Sequence, residues 1–205
     1  DSLFDIKYNL STQPVEKYGF TQKQKVGDYQ LYENHNALEL GLLAPKDIYK
    51  VQQPKFDNLA SQKNLFNALS RQNQEYFKFT TISLVRQTNT KIDENGNITT
   101  FLQQIPDQEQ KITYQVFIPA NTQAYVSLFP FDFSQLDASS ITVTTAHASY
   151  ESQIDINGRY YNLGYFNQDA TFQFTVSLNG NQKLSFLTPK VLLLDTNAYQ
   201  QAINV

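Results

Sequence analysis

The chain has 205 residues, of which 40% are hydrophobic and 14% aromatic, so it can bury a sizeable core and differs from a disordered segment. Its formal net charge is −3, from 16 basic and 19 acidic residues. No basic cluster is present, which excludes a typical nucleic-acid-binding domain, and we expect no nucleic-acid partner.

The sequence has the character of one part of a longer protein. It begins with Asp1 and contains neither methionine nor cysteine, so we expect a fragment or a processed chain without disulfides or thiolate metal sites. The longest purely apolar run, residues 191–194, is far shorter than the ~18 residues that a membrane helix needs. We therefore expect a soluble fragment.

The N-terminal part contains short strand patterns. Residues 3–8 alternate between apolar and polar side chains, as a half-buried strand does. Residues 12–25 are polar and predict a loop, whereas residues 29–32 predict a second strand. Residues 37–43 are a candidate for a third strand.

One helix is predicted, over residues 58–72. Asp57 or Asn58 could cap its start by accepting a backbone N–H bond. Its apolar face is formed by residues that recur near the 3.6-residue period: Leu59, Leu65, Phe66 and Leu69.

The sequence after residue 76 has a β pattern. Residues 77–85 are rich in aromatic and β-branched side chains, and Asn95-Gly96 predicts a hairpin turn. Further strands are predicted at 111–118, 124–129, 141–145, 153–156, 170–178 and 183–187. The chain is thus expected to be mainly β: an antiparallel, jelly-roll-like β-sandwich (76–205) preceded by a small α/β portion (1–75), together forming one compact unit.

Catalytic patterns are missing from the sequence. It has no cysteine, no Gly-x-Ser-x-Gly motif and no phosphate-binding glycine loop, and His35 and His147 lack the spacing of a zinc site. We therefore predict no catalytic residue, no metal and no cofactor.

A partial calcium-loop pattern occurs at Asp93, Asn95 and Asn97. A complete loop would have Glu at its twelfth position, where this sequence has Gln104. A β-hairpin explains the same residues without a metal, and we favour it.

Residues 155–166, DINGRYYNLGYF, combine aromatic, amide and arginine side chains around a turn. Aromatic faces stack on sugar rings, and amide and guanidinium groups bind hydroxyls. The alternative is that alternate aromatic side chains point into the sandwich core. The candidate carbohydrate-binding residues are Asn157, Arg159, Tyr160, Tyr161 and Tyr165.

Several short motifs resemble, in their order, those of the YfhO family of bacterial polytopic membrane proteins. They are LFDIKY at 3–8, YEN at 32–34 and ALELGL at 37–42, where Glu39 replaces the usual proline. Phe56 with the QKNL of the predicted helix, the IDING turn and the GYF segment at 164–166 continue the resemblance. Together these motifs cover most of the chain.

The resemblance implies a function for the parent protein. YfhO-like proteins are similar to membrane glycosyltransferases that use a polyprenyl-phosphate sugar and decorate cell-wall polymers, such as lipoteichoic acid in Gram-positive bacteria. Their catalytic acidic residues lie between membrane helices, which this sequence lacks. The resemblance therefore implies a non-catalytic domain on the extracellular face of the cytoplasmic membrane, with its own transmembrane bundle and a glycan or teichoic acid acceptor as partners. Its expected task is either to hold the acceptor polymer near the membrane active site or to stabilise the bundle.

Within that interpretation, Tyr32-Glu33-Asn34 is expected to be a strand end whose amide and carboxylate bond to the backbone. An anionic acceptor would require a local basic site formed by Arg159, Lys183 or Lys190. Two alternatives are a secreted carbohydrate-binding or adhesin module, and a sandwich-fold glycoside hydrolase with two facing carboxylates.

Overall fold

The computed structural model describes residues 6–38, 44–55, 57–133 and 139–204. The chain forms two compact units. The smaller unit comprises Asp1–Lys78, Asn121–Gln123 and Leu194–Val205, and the larger one comprises Phe79–Ala120 and Ala124–Leu193. Both ends of the chain therefore belong to the smaller unit.

The smaller unit contains a three-stranded antiparallel sheet. Its strands are β1 (Tyr8–Ser11), β2 (Phe20–Val26) and β3 (Tyr29–Asn34), in the order β1-β3-β2. The predicted strand at 29–32 is confirmed, whereas the predicted loop at 12–25 is wrong from Phe20 onward. Strand β2 escaped detection because almost all its side chains are polar and exposed. Parts of the other two predicted strands, residues 3–5 and 39–43, lie outside the described residues, and residues 37–38 form no strand.

The end of β3 is a buried joint, as its sequence predicted. The Asn34 side-chain amide donates to the Ile6 carbonyl at 3.0 Å, and its oxygen accepts from the Asn36 backbone N–H at 3.0 Å. The prediction for Glu33 was wrong, because its carboxylate pairs with the Lys23 ammonium group at 2.7 Å and not with the backbone.

Two helices pack together in the smaller unit. Helix α1 (Asn58–Ser70) confirms the prediction, and the Asp57 carboxylate caps it by accepting from the Ala60 N–H at 2.9 Å. Helix α2 (Thr196–Ile203) was not predicted, although Asp195 caps it in the same way. Their shared core consists of Phe66, Tyr76 and Ala202 with partly buried neighbours.

Twelve further strands follow α1 in the described residues: β4 (Phe77–Thr80), β5 (Ser83–Thr88), β6 (Thr90–Asn95), β7 (Ile98–Gln103), β8 (Gln110–Ile118), β9 (Thr122–Leu128), β10 (Ser140–Thr144), β11 (Ser149–Gln153), β12 (Arg159–Phe166), β13 (Ala170–Asn179), β14 (Lys183–Leu187) and β15 (Lys190–Asp195). They form sheets in the orders β11-β10-β13-β8-β5, β12-β9-β15-β4 and β14-β7-β6. The boundaries of the two units cut across β4, β9 and β15.

One apolar core fills the larger unit. In β8, buried and less buried residues alternate, so that every second side chain points inward. Residues of β8, β10 and β13 from the five-stranded sheet share this core with residues of β9, β12 and β15 from the four-stranded sheet. The prediction of a mainly β, sandwich-like fold is therefore confirmed.

Several boundaries differ from the predictions. Residues 77–85 form two strands, β4 and β5, and the predicted strand at 153–156 is wrong because β11 ends at Gln153. Strands β12 and β15 were not predicted. The hairpin is confirmed: Asn95 pairs with Ile98, which leaves Gly96 and Asn97 as its two-residue loop.

Candidate functional site

The turn that precedes β12 is held by its own polar groups. The Asp155 carboxylate accepts from the Asn157 backbone N–H at 2.8 Å and from the Arg159 guanidinium at 3.1 Å. These bonds, the Asn157 N–H first and Arg159 second, hold the pKa of Asp155 below its usual range. Both charged groups of this turn thus stabilise the turn itself.

Gly158 allows the turn to lie directly against Phe129. Its φ is +63°, a conformation that residues with a Cβ adopt reluctantly. A Cβ at this position would lie 2.5 Å from Phe129 Cδ1 and 2.7 Å from Phe129 Cα. Both the backbone conformation and the lack of space therefore require glycine here.

The five predicted binding residues differ in their burial and in their position along β12. Tyr161 is 7% exposed and its hydroxyl lies 2.6 Å from Ser152 Oγ, so it belongs to the core, and burial raises its pKa. Tyr165 is half-buried, about 16 Å along the strand from Tyr160. Asn157, Arg159 and Tyr160 are exposed near the turn, and the Tyr160 ring packs edge-on against Phe129, with centroids 5.1 Å apart.

An aromatic segment, FPFDF at residues 129–133, runs along β14. Pro130 forms an antiparallel bridge with Phe186, and the Phe131 N–H donates to the Ser185 carbonyl at 2.8 Å. Pro130 and Phe186 are buried. Because side chains alternate in such a pairing, Phe129 and Phe131 point to the opposite face.

That opposite face belongs to the sheet β14-β7-β6 and forms the floor of a groove. Asp93, Thr100 and Ser185 lie side by side across its three strands, and the two hydroxyls are 2.9 Å apart. The groove has a volume of about 400 Å³. Its lining residues are Asp93, Asn95, Ile98, Thr100, Phe131, Asp132, Phe133, Lys183 and Ser185.

Aromatic rings and charges border this groove. Phe131 is 51% exposed and Phe133 57% exposed, which is unusual for such large apolar side chains. Within the part of the chain that the structure describes, the side chains of Asp93 and Lys183 form no ion pair. The groove thus combines exposed aromatic surface, hydroxyls, an amide and charges of both signs, a set suited to binding a polar ligand that also has an apolar face.

The sequence analysis singled out three groove residues for other reasons, Asp93 and Asn95 in the partial calcium-loop pattern and Lys183 as a basic residue, but it did not predict the groove. A usable signal was FPFDF at 129–133, in which aromatic residues alternate beside a proline. The floor gave no such signal, because Asp93, Thr100 and Ser185 come from separate segments and meet only through the strand register.

Comparison with known proteins identifies a family. The model of the family described as "Bacterial membrane protein YfhO" matches residues 1–205, the whole chain. No helix in the described ranges is long and apolar enough to cross a membrane. No curated protein matches the chain.

Three solved structures show distant similarity. The C-terminal CBM6 of the laminarinase LamC from Zobellia galactanivorans has a TM-score of 0.39 at 6% identity, over 55% of this chain and 93% of that chain. A family two carbohydrate esterase from Cellvibrio japonicus has a TM-score of 0.25 at 12% identity, over 56% and 34% of the two chains. TmCBM61 in complex with β-1,4-galactotriose has a TM-score of 0.22 at 9% identity, over 58% and 84%.

Proposed function

We propose that this chain, which belongs to the YfhO family of bacterial membrane proteins, is a non-catalytic domain that binds the glycan acceptor of a membrane glycosyltransferase. In this proposal the domain lies on the extracellular face of the cytoplasmic membrane, beside its own transmembrane bundle. The acceptor is a cell-wall polymer such as lipoteichoic acid. The observation that carries the proposal is the groove in which Phe131 and Phe133 stand exposed beside a polar sheet face.

The chemistry of the groove suits a sugar. A sugar ring presents hydroxyl groups around its edge and C–H groups on its face, so it needs polar partners and a flat apolar partner together. Asn95, Thr100 and Ser185 supply amide and hydroxyl groups, and Phe131 and Phe133 supply the rings. The three-stranded floor is about 10 Å wide, which leaves room for a short saccharide.

The charges of the groove restrict the acceptor. Of the three basic residues considered for an anionic polymer, Lys183 lines the groove, Arg159 is paired with Asp155, and Lys190 lines a separate groove. Asp93 and Asp132 also line the groove and repel a run of phosphates. We therefore expect the groove to bind the sugar units of an acceptor rather than its polyphosphate backbone.

The predicted carbohydrate-binding residues in and before β12, the predicted patch, do not line the groove, and we expect them to contribute at most to its rim. Tyr160 packs against Phe129, from which the chain leads into the aromatic segment, so Tyr160 is the member of the patch best placed to contact a bound glycan. Asn157 and Arg159 are exposed and are secondary candidates. Tyr161 belongs to the core and is not expected to contact a glycan.

Calorimetric titration of the 205-residue chain with neutral oligosaccharides and with lipoteichoic acid fragments tests the proposal. We expect saturable binding that weakens at least tenfold, about 1.4 kcal/mol, in the Phe131→Ala/Phe133→Ala variant. Phe117→Ala is the matched control, since Phe117 is an exposed phenylalanine on β8, outside the groove. Absence of binding, or equal loss in both variants, would contradict the proposal.

A secreted carbohydrate-binding or adhesin module would use the same groove and is the alternative. The open reading frame upstream of Asp1 separates the two functions. Several hydrophobic spans of about 20 residues support the glycosyltransferase domain. A lone signal peptide supports the secreted module.

A further inference from the structure

The sheet of the smaller unit has an unusual exposed face. Because side chains alternate along a strand, the antiparallel register β1-β3-β2 places every second residue of each strand on one face. Leu10 pairs with Leu31, and Val26 pairs with Tyr29. The apolar and aromatic members of this face are Tyr8, Leu10, Val26, Tyr29 and Leu31.

The two faces of this sheet reverse the usual pattern of burial. Tyr8, Leu10, Val26 and Tyr29 are between 53% and 65% exposed. The opposite face carries the buried residues Tyr32 and Asn34. A sheet with one solvated face normally places polar side chains there, so a contiguous exposed apolar face indicates a surface that contacts a partner.

The side chains of this face fit the interface of a lipid bilayer. Tyrosine is enriched at membrane–water interfaces, because its ring is apolar and its hydroxyl is polar. Tyr8 and Tyr29 supply such rings, and Leu10 and Val26 supply aliphatic surface between them. The Lys7 ammonium group lies 5.9 Å from the centre of the Tyr8 ring, so a cation accompanies the aromatic residue.

The local charge also fits anionic headgroups. Residues 6–38 contain four lysines (7, 17, 23 and 25) and three acidic residues (16, 28 and 33), a net charge of 4 − 3 = +1, whereas the whole chain carries −3. Glu33, the acidic residue within these three strands, is paired with Lys23 at 2.7 Å. Lys7, whose ammonium group lies beside the Tyr8 ring, is exposed and can reach phosphate groups. Lys25 pairs with Gln30 and therefore points to the opposite face.

We propose that this face, Tyr8, Leu10, Val26, Tyr29 and Leu31, rests on an anionic lipid bilayer. The chain belongs to a membrane protein family, and a sheet face of this composition gives it peripheral contact without a spanning helix. The apolar side chains enter the boundary between headgroups and acyl chains, and Lys7 binds a lipid phosphate. This inference does not depend on the glycan groove, which lies in the larger unit.

A fluorescence experiment tests the lipid contact directly. The chain contains no tryptophan, so Tyr29→Trp introduces a single reporter. With phosphatidylglycerol vesicles we expect a blue shift of its emission and quenching by brominated acyl chains, and weaker effects with phosphatidylcholine. The matched control is Phe117→Trp, an exposed position on β8, which should show neither effect. No shift at position 29, or equal shifts at both positions, would overturn the proposal.

Vesicle flotation gives an independent readout. Leu10→Asp should reduce binding to phosphatidylglycerol vesicles at least tenfold, whereas Leu84→Asp, at an exposed leucine of β5, should not. Circular dichroism confirms that both variants are folded. Phe131→Ala should retain vesicle binding even where it loses glycan binding. If the chain does not bind vesicles but forms dimers that Leu10→Asp disrupts, a second copy covers this face and the proposal is wrong.

Discussion

The turn at 155–158 and the groove on the sheet β14-β7-β6 both combine aromatic rings with polar groups, and they differ in how those groups are used. In the turn, Asp155 is bonded to Asn157 and Arg159, and Gly158 packs on Phe129. In the groove, Phe131 and Phe133 are exposed beside polar groups of the sheet. A cluster rich in binding-type residues can therefore serve the fold alone. The two regions differ in how their charges are used: Asp155 and Arg159 are paired with each other, whereas Asp93 and Lys183 form no ion pair within the described residues.

Because the groups of the turn serve the fold, we expect substitutions in the turn to destabilise the protein. Gly158→Ala should lower the free energy of unfolding by about 3 kcal/mol, because it adds backbone strain at positive φ and a clash with Phe129. The urea midpoint of unfolding measures this change.

Gly96→Ala is the matched control for that variant. Gly96 also has a positive φ, +61°, but a Cβ there would meet no atom within 4 Å. Gly96→Ala should lower the free energy of unfolding only through backbone strain, by about 1 kcal/mol. Equal losses in both variants would show that the packing of Gly158 on Phe129 contributes nothing.

Substitutions in the groove should instead reduce glycan affinity and leave stability nearly unchanged. Phe131→Ala and Phe133→Ala should each weaken glycan binding several-fold, with unfolding free energies within about 0.5 kcal/mol of the original, because both rings are largely exposed. Calorimetric titration and urea unfolding on the same samples measure the two quantities. A large loss of stability with unchanged affinity would assign these rings to the fold.

Tyr160 packs against Phe129, which lies two residues before Phe131 in the chain, so its substitution should produce a smaller, mixed effect. Tyr160→Ala removes the edge contact with Phe129 and should lower stability by about 1 kcal/mol. Glycan affinity should fall by less than in Phe131→Ala, since Tyr160 does not line the groove. An affinity loss greater than that of Phe131→Ala would move the site to the predicted patch.

The smallest expected effect is the dependence of stability on pH that arises from Asp155. The pKa of Asp155 is lowered in the folded state, so its ionised form stabilises the fold. This contribution is complete above the unfolded pKa of about 3.9 and is lost as the pH falls through the lower, folded pKa. Arg159→Ala should raise the Asp155 pKa only in part, because the Asn157 N–H remains. NMR titration of the carboxyl carbon measures both values, and an unchanged pKa would contradict the role of Arg159.

Much of the β architecture could be predicted because its patterns are local. The hairpin at 95–98, strands β8, β13 and β14, and helix α1 with its Asp57 cap all follow from alternation, turn residues or capping. Strand β2 could not be predicted, because its exposed polar side chains carry no alternation. Helix α2 was missed although Asp195 accepts from Asn197 and Ala198, a capping signal visible in the sequence.

The site was less predictable than the fold. Residues 155–166 gave a strong compositional signal, but β12 turns Tyr161 into the core and leaves Tyr160 outside. The groove depends on strand pairing, which sets residues 85 positions apart side by side in the pair Thr100 and Ser185. No local pattern encodes such a register, although the alternating aromatic residues of FPFDF at 129–133 were a local signal that could have pointed to the groove.

The central claim is that the groove binds a glycan and that the turn supports the fold. Titration of the isotope-labelled chain with an oligosaccharide, followed through backbone amide NMR shifts, tests it most directly. We predict that the largest shifts map to Thr100, Phe131, Lys183 and Ser185, with small changes at Asn157 and Tyr161. Largest shifts at Asn157–Tyr161, or none in the groove, would contradict the account.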